Sequence, residues 1–398
     1  MSESSRVGSA SSSFPDHSDF QSPTKRRTRK RSCLLTVSFV ITFPVVVAAV
    51  LYRLDRFEPA QFPVDELSRR TVTVPARNSR MRKGSEVVAM GEVSGPEDLA
   101  YDKESGVIYT GCDDGWIKRV TVKDSASDSV VENWVNTGGR PLGLAFGKNG
   151  DIIVADANKG LVRVTREKKV EVLADEVEGL KFKLTDGVDV ADDGNIYFTD
   201  ASYKYNVKDY VFDILEGKPH GRFMNYNPAT KNVTLLARNL YFANGVAVSP
   251  DQNFVVFCET VLRRCRKFYI QGPKKGLISE FCRDLPGMPD NIHYVGGGKY
   301  YIGMATSLTS ELDLALRYPF IRKVAAMVAK YIGRVQVEKS GGVLVVDLEG
   351  KPKAHYYDLE LSLIASGIPI GNHIYCGSIT YPFIIRLDVD KYPALPSK

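Results

Sequence analysis

From residue 95 onwards, apolar and polar positions follow a pattern that repeats along the chain. Each repeat has a short apolar strand, a turn rich in Gly, Asn or Asp, and a second strand of β-branched and aromatic residues. In one repeat, residues 185–190 precede a turn at 192–194 and a strand at 196–200. This is the chemistry of β-hairpins, and later strand-like runs such as residues 161–164 make room for four strands per repeat. The repeats begin at Gly95, Arg140, Thr185, Ala243, Pro289 and Ile368.

The spacing of the repeats indicates how they assemble. The first three repeats begin at Gly95, Arg140 and Thr185, which stand 45 residues apart, a spacing that fits a propeller blade of roughly 40 to 50 residues. A β-sandwich also contains many short strands, but it does not predict one unit six times. The sequence therefore predicts an all-β fold, a six-bladed β-propeller.

One segment within the fifth repeat lacks strand character. Apolar residues between positions 311 and 332 fall near helical spacing, and Pro319 should kink or split the helix. The sequence thus predicts a helical insertion in blade five. It is either a lid over a central pocket or an outgrowth that packs on a neighbouring blade.

The N-terminal region has the pattern of a membrane anchor. Residues 33–52 are uncharged and almost wholly apolar, about the length that a helix needs to cross a bilayer, and a basic cluster at 25–31 precedes them. We predict a single-pass type II membrane protein of the endomembrane system (endoplasmic reticulum or vacuole) with a luminal propeller. The alternative is a cleaved signal peptide. Asn232 begins a glycosylation sequon that would then face the lumen.

These patterns divide the chain into five parts. They are a disordered basic cytosolic tail (1–32), a transmembrane signal anchor (33–52), a linker and lead-in (53–84), the propeller (85–393) and a short tail (394–398).

Charge and cysteine content narrow the function classes. The 398-residue chain carries a formal net charge of +6, and six cations lie in the basic cluster alone. The near-neutral remainder argues against a nucleic-acid partner, which needs clustered Lys and Arg. The six cysteines show no zinc pattern. Cys265 and Cys282 can bridge neighbouring strands, although the sequence does not establish that they do.

The first residues of the repeats carry the candidate chemistry, because innermost strands line the channel of a propeller. Oxygen donors from four repeats should converge there, and buried carboxylates repel one another unless a cation or protons neutralise them. Such donors suit Ca²⁺ before Zn²⁺. The alternative is that Asp and Asn merely cap turns. The converging residues are Glu97, Asp98, Leu142, Asp186, Asn244, Asp290 and Asn291.

Three segments carry a family resemblance: GPED (95–98), FANGVAVSPD (242–251) and MPDNI (288–292). They resemble the strictosidine synthase-like family, of the type found in plants and in adipocyte plasma membrane-associated protein. That family is related to paraoxonases and gluconolactonases, which hydrolyse esters, lactones or organophosphates. The resemblance implies a central Ca²⁺ held by Glu97, Asn244 and Asp290.

The chain departs from its relatives at three places. Strictosidine synthase needs a sixth-blade Glu, but residues 364–369 contain no acid. Paraoxonases place a His where Leu142 stands. The third-blade ligand, often Asn in the hydrolases, is Thr185 or Asp186 here.

The resulting interpretation is a Ca²⁺-dependent hydrolase of small apolar or aromatic esters or lactones, similar to arylesterases and lactonases. Asp290 or Asp186 would help to activate water. Two alternatives stay open: a synthase of alkaloid biosynthesis that forms a C–N bond, and a non-catalytic luminal binding propeller.

Overall fold

The computed structural model describes residues 40, 42–63, 65–68, 70–333 and 338–396. All of its strands except one short hairpin form six sheets that follow one another along the chain. The first strand of each sheet contacts the first strand of the next, so that these strands close a ring. The predicted six-bladed β-propeller is confirmed.

Each blade has four antiparallel strands, and blade five is extended by two more. Blade one contains β3 (Leu99–Asp102), β4 (Val107–Gly111), β5 (Trp116–Thr121) and β6 (Val130–Asn136). Blade two contains β7 (Pro141–Phe146), β8 (Ile152–Asp156), β9 (Gly160–Val164) and β10 (Val170–Ala174). Blade three contains β13 (Thr185–Val190), β14 (Ile196–Asp200), β15 (Gly221–Asn227) and β16 (Asn232–Leu240). Blade four contains β17 (Ala243–Val248), β18 (Phe254–Glu259), β19 (Arg264–Tyr269) and β20 (Ile278–Cys282). Blade five contains β21 (Gly287–Tyr294), β22 (Lys299–Ser307), β23 (Gly342–Asp347) and β24 (Pro352–Tyr357). Blade six contains β25 (Ile364–Ile370), β26 (His373–Ser378), β27 (Ile384–Asp388) and β2 (Ser85–Val88).

The remaining elements are short. Strands β1 (Ala76–Asn78) and β28 (Leu395–Pro396) extend blade five, and β11 (Glu176–Val177) and β12 (Leu180–Lys181) form a separate hairpin. Residues 42–54 are helical, the other helices are Tyr210–Glu216, Ser310–Arg317 and Pro319–Tyr331, and the 3-10 turns are Arg82–Gly84 and Ala126–Asp128.

Apolar packing between blades holds the ring together. Strands β8 and β14 are buried at every residue, as expected for short apolar runs bounded by turn residues. Each of the six blade interfaces contains a cluster of buried apolar side chains. Between blades three and four, Phe223 stacks on Phe257 with 4.7 Å between ring centroids, a geometry worth about 1 kcal/mol beyond the buried area.

Both ends of the chain close the ring. Strand β2, from the N-terminal side, is the outermost strand of blade six and pairs antiparallel with β27, with Glu86 opposite Arg386. Strand β1 pairs in parallel with β24 and antiparallel with β28. The segment before the first repeat therefore belongs to the folded body, whose compact unit spans residues 57–398.

Helices and lead-in residues pack against the starts of inner strands, in one cluster of buried apolar side chains that includes Phe62, Phe242 and Leu316. Helix Tyr210–Glu216 lies between β14 and β15, and the other two helices lie between β22 and β23. The fully buried Arg322 donates hydrogen bonds to Leu215 O (3.0 Å) and Ala60 O (2.5 Å), and its guanidinium lies 4.4 Å from the Phe62 ring centroid. Arg322 thus ties the lead-in to two of these helices.

The predicted localisation, a type II membrane protein with a luminal propeller, is wrong. Within the described ranges no helix is both long and apolar enough to cross a membrane. The basic cluster and residues 33–39 lie outside the described residues. Asn232 is an exposed residue at the start of β16, and its glycosylation stays a prediction.

The suggested Cys265–Cys282 bridge is also wrong, because Cys265 forms its disulfide with Cys258. Cys265 lies directly opposite Cys258 on one neighbouring strand and opposite Cys282 on the other. Both pairings join adjacent strands, so strand order alone cannot distinguish them. Cys282 is a buried free thiol.

Candidate metal centre

Three carboxylates from three blades meet on the axis of the ring. Glu97 precedes β3, Asp186 lies in β13 and Asp290 lies in β21. One oxygen of each lies within 4.8 Å of the others, and the residues are only 1%, 4% and 7% exposed. The structure therefore brings together the acids that the repeat pattern placed at equivalent positions.

Glycines that follow the site residues allow this close approach. A Cβ at Gly187 would lie 2.6 Å from Asn244 O, and a Cβ at Gly245 would lie 2.5 Å from Asp290 O. Such distances are shorter than any normal contact, so only glycine lets adjacent inner strands pack this closely. The Asp-Gly and Asn-Gly pairs of the repeats therefore bring neighbouring site residues together.

Asn244 completes the cluster from blade four. It hydrogen-bonds the Asp290 carboxyl group and lines the same cavity as the three acids. Asn244 Oδ1 and Glu97 Oε2 are buried and have no hydrogen-bond partner among the described residues. Buried acceptors without donors are costly, and a bound cation would satisfy both.

Burial and mutual repulsion act on the protonation of these acids. Burial, together with Asp290 and Asp186, raises the pKa of Glu97 well above its usual value. Burial and Asp290 do the same to the pKa of Asp186. Burial raises the pKa of Asp290 to about 7, against an opposing hydrogen bond from Asn244. Without a cation the cluster therefore retains protons near neutral pH.

Three of the predicted converging residues have other roles. Asp98 Oδ1 accepts from His293 Nε2 (2.6 Å) and its Oδ2 accepts from Leu144 N (3.0 Å), so this acid links blades. Asn291 Nδ2 donates to Glu97 Oε1 at 2.6 Å and orients that carboxylate. Leu142 contributes apolar surface to the cavity wall.

A cavity of about 220 Å³ lies above the acids. Four residues that surround the cavity each stand two positions before Leu142 or a site residue of an inner strand. They are Arg140, Leu184, Phe242 and Met288. Val207, Tyr210 and Ile214, in and just before helix Tyr210–Glu216, also line the cavity. The cavity therefore has apolar walls and an acidic floor.

Sequence reasoning missed Arg140 and the contribution of helix Tyr210–Glu216. The repeat register contains a signal for Arg140, because it stands two residues before Leu142 as Phe242 stands before Asn244. The helix interrupts blade three after β14, and neither the repeat spacing nor the helical pattern near residue 311 points to it.

Carboxylate and amide oxygens in a buried cage are the donors that hard divalent cations prefer. Glu97, Asp186, Asn244 and Asp290 fit such a cation, because the cluster has orphaned acceptors and mutually repelling acids. Among the described residues, the only cluster of three or more His, Cys, Asp or Glu side chains with metal-binding geometry is that of Glu97, Asp186 and Asp290.

Comparison with known proteins places this chain in a family. The strictosidine synthase family model matches residues 186–273, and the model of the strictosidine synthase-like N-terminal region matches residues 76–120. Strictosidine synthase-like protein 6 of Arabidopsis thaliana is 52% identical over 362 residues, covering 90% of this chain and 97% of that protein. Human adipocyte plasma membrane-associated protein is 30% identical over 408 residues, covering 94% and 93%.

Solved structures share the fold at low sequence identity. A gluconolactonase from Xanthomonas campestris superposes with a TM-score of 0.55 at 13% identity, covering 84% of this chain and 99% of that chain. Regucalcin from Agrobacterium tumefaciens gives a TM-score of 0.52 at 13% identity, covering 79% and 95%. These likenesses show the propeller fold, and the sequence relatives show that the chain belongs to the strictosidine synthase-like family.

Proposed function

We propose that this protein is a calcium-dependent hydrolase of esters or lactones. The observation that carries the proposal is the cluster of Glu97, Asp186 and Asp290 at the floor of an apolar cavity, with ligand oxygens within 4.8 Å of one another. A cluster that only stabilised the fold would not need three mutually repelling acids beside orphaned acceptors.

Glu97, Asn244 and Asp290 are the proposed ligands, with Asp186 as a fourth oxygen donor. When bound, Ca²⁺ would polarise a carbonyl oxygen and stabilise the negative charge that develops there. Support comes from two structural neighbours, a regucalcin described as a calcium-binding protein and a gluconolactonase. The orphaned Asn244 Oδ1 and Glu97 Oε2 support it independently.

The side chains of the site have distinct roles in hydrolysis. Asp290 or Asp186 would accept a proton from the water that adds to the acyl carbon, and would return it to the alkoxide that leaves when the acyl C–O bond breaks. Asn291 fixes the orientation of Glu97 through its 2.6 Å hydrogen bond. Leu184, Phe242 and Met288 surround the substrate and exclude water, which strengthens electrostatic effects at the floor. This wall favours a small apolar or aromatic ester or lactone.

Metal analysis coupled to an activity panel tests the proposal. The purified protein should contain about one equivalent of calcium, and it should hydrolyse members of an arylester and lactone panel. A chelator should abolish turnover, and added Ca²⁺ should restore it. Calcium binding without turnover of any panel member would instead support a non-catalytic binding propeller. Turnover that is indifferent to the chelator would exclude the metal mechanism.

A further inference from the structure

Arg140 is the only basic residue among the described residues that line the cavity. It stands immediately before β7, two residues from the position that Leu142 occupies in the ring of site residues. It is 7% exposed, and a buried guanidinium is costly unless opposite charge lies close by. Burial lowers the pKa of Arg140, and Glu97 at the cavity floor is the strongest of the acidic groups that oppose this shift.

Arg140 hydrogen-bonds backbone carbonyls of two segments next to Glu97, one just before it in the chain and one on the neighbouring strand β4. Its Nη2 donates to Gly95 O at 2.9 Å, and its Nη1 donates to Gly111 O at 3.3 Å. Gly111 O also accepts from Glu97 N at 3.1 Å. A third hydrogen bond joins Nη1 to Pro141 O at 3.2 Å. All three of these hydrogen bonds go to uncharged backbone carbonyls, which leaves the positive charge of the guanidinium to act on the acid cluster.

Gly95 makes room for this arrangement. Its backbone has a φ of +53°, and a Cβ there would lie 3.3 Å from Arg140 Nη2 and 2.8 Å from Ile379 O. Gly95 stands two positions before Glu97, and the corresponding positions in blades four and five hold the large side chains of Phe242 and Met288. The guanidinium occupies the space on this side of the ring.

The charges of the proposed cation site explain why a positively charged side chain, Arg140, lies next to the acid cluster. Three carboxylates and one divalent cation leave one net negative charge in a buried cage, and Asn244 adds none. A positive side chain beside Glu97 balances that charge. Burial raises the pKa of Glu97 and of Asp186, and the positive charge of Arg140 acts against both shifts.

We infer that Arg140 is a positioning residue that balances the third carboxylate of the cage and thereby sets its preference between divalent and trivalent cations. The inference rests on the proposed cation site. Removing the positive charge should favour a trivalent ion, because the cage then holds three carboxylates without compensation. Removing the charge of Asp186 should favour the divalent ion for the opposite reason.

Titration of the full-length, metal-free protein with Ca²⁺ and with Tb³⁺ tests this inference. The readout is the ratio of the two dissociation constants, which does not depend on catalysis. Arg140→Gln should shift the ratio toward Tb³⁺ by roughly tenfold, and Asp186→Asn should shift it toward Ca²⁺ by a similar factor. The double variant should return close to the wild-type ratio.

Arg140→Lys separates charge from hydrogen bonding. It keeps the positive charge but loses the planar fork that holds Gly95 O and Gly111 O, so both affinities should fall while their ratio stays near wild type. Arg140→Met provides a second neutral variant if Arg140→Gln does not fold. A neutral variant that binds both ions at the wild-type ratio would overturn the inference and leave the hydrolase proposal intact. A wild-type protein that binds neither ion would overturn both.

Discussion

Glu97, Asp186 and Asp290 stand at equivalent places in three repeats, and their meeting on the axis follows from that equivalence. Sequence reasoning could predict the set because the fold, rather than local chemistry, brings the residues together. It could not predict that Asp98, adjacent to Glu97 and of the same chemical type, turns away to bind Leu144 N and His293. Side-chain direction at the end of a strand depends on neighbours that only the folded ring supplies.

Replacement of Asp290 should remove the response to calcium. Asp290→Ala takes one carboxylate from a small cage, so calcium-dependent stabilisation should disappear and esterase activity should fall by roughly 100-fold or more. Asp290→Asn keeps an oxygen donor and should weaken binding less. Thermal melting with and without Ca²⁺, together with initial rates, measures both effects.

The matched control is Asp124→Ala, because Asp124 is exposed and only its backbone carbonyl serves Arg386. It should change neither quantity. If Asp290→Ala kept the full calcium-dependent increase in melting temperature, the central cation site would be excluded.

Stabilisation by calcium should increase with pH. The pKa of Asp290 is raised to about 7 by burial, so the metal-free native state holds a proton that the unfolded state has lost above about pH 4. The metal-free fold therefore loses stability as pH rises through this window. Ca²⁺ must displace that proton below pH 7, so its stabilising effect should be larger at pH 8 than at pH 5. Melting curves with and without Ca²⁺ at both values measure this, and an equal gain at pH 5 would contradict it.

At the scale of strands, the glycines after the site residues decide how closely blades approach. Gly187→Ala should destabilise the protein by about 1–3 kcal/mol, because the new Cβ would meet Asn244 O at 2.6 Å. It should also weaken Ca²⁺ binding, since the clash pushes Asn244 from its place. Gly147→Ala is the control, as its nearest contact would be 3.4 Å. Urea denaturation and calcium titration of both variants test the prediction, and equal behaviour would count against it.

Strand β25 bears on the synthase alternative. Its residues 364–369 contain no acid, and Ser366 Oγ donates to Glu97 O at 3.0 Å. Condensation of an amine with an aldehyde needs a base within hydrogen-bond reach. We therefore expect no product when the protein is incubated with tryptamine and secologanin. Product formed at enzymatic rates would restore that alternative.

The elements differ in how far the sequence could predict them. Strands and turns of the repeats were accessible because apolar runs bounded by Gly, Asn and Asp recur. Helix Tyr210–Glu216 was not, because it is a single short insertion of seven residues. The partner of Cys265 was not either, since Cys258 and Cys282 flank it on two adjacent strands.

For the whole molecule, the sequence predicted the number of blades and placed residues 85–88 within the propeller, but it did not predict that they complete blade six or that β1 of the lead-in extends blade five. Strands β1 and β2 carry no repeat motif, so periodicity cannot reveal that they belong to blades five and six. Their partners lie at the other end of the chain.

Truncation tests this closure. A chain lacking residues 1–56 keeps the compact unit that begins at Phe57, and its melting temperature should stay within a few degrees of wild type. A chain lacking residues 1–88 loses β1 and β2 and leaves the edge of β27 open, so it should lose cooperative unfolding and aggregate. Calorimetry and light scattering measure these outcomes. A cooperative transition in the shorter chain would show that the closing strands are dispensable.

The pairing of β2 with β27 also constrains the order of events during synthesis. Glu86 leaves the ribosome long before Arg386, its partner 300 positions later. Contacts between such distant segments form late and slow folding. Strand β2, although made before the other strands of blade six, must therefore wait, exposed, until nearly all of the chain has been translated. During that interval the nascent protein presents an unfinished blade, the stage at which chaperones would be most needed.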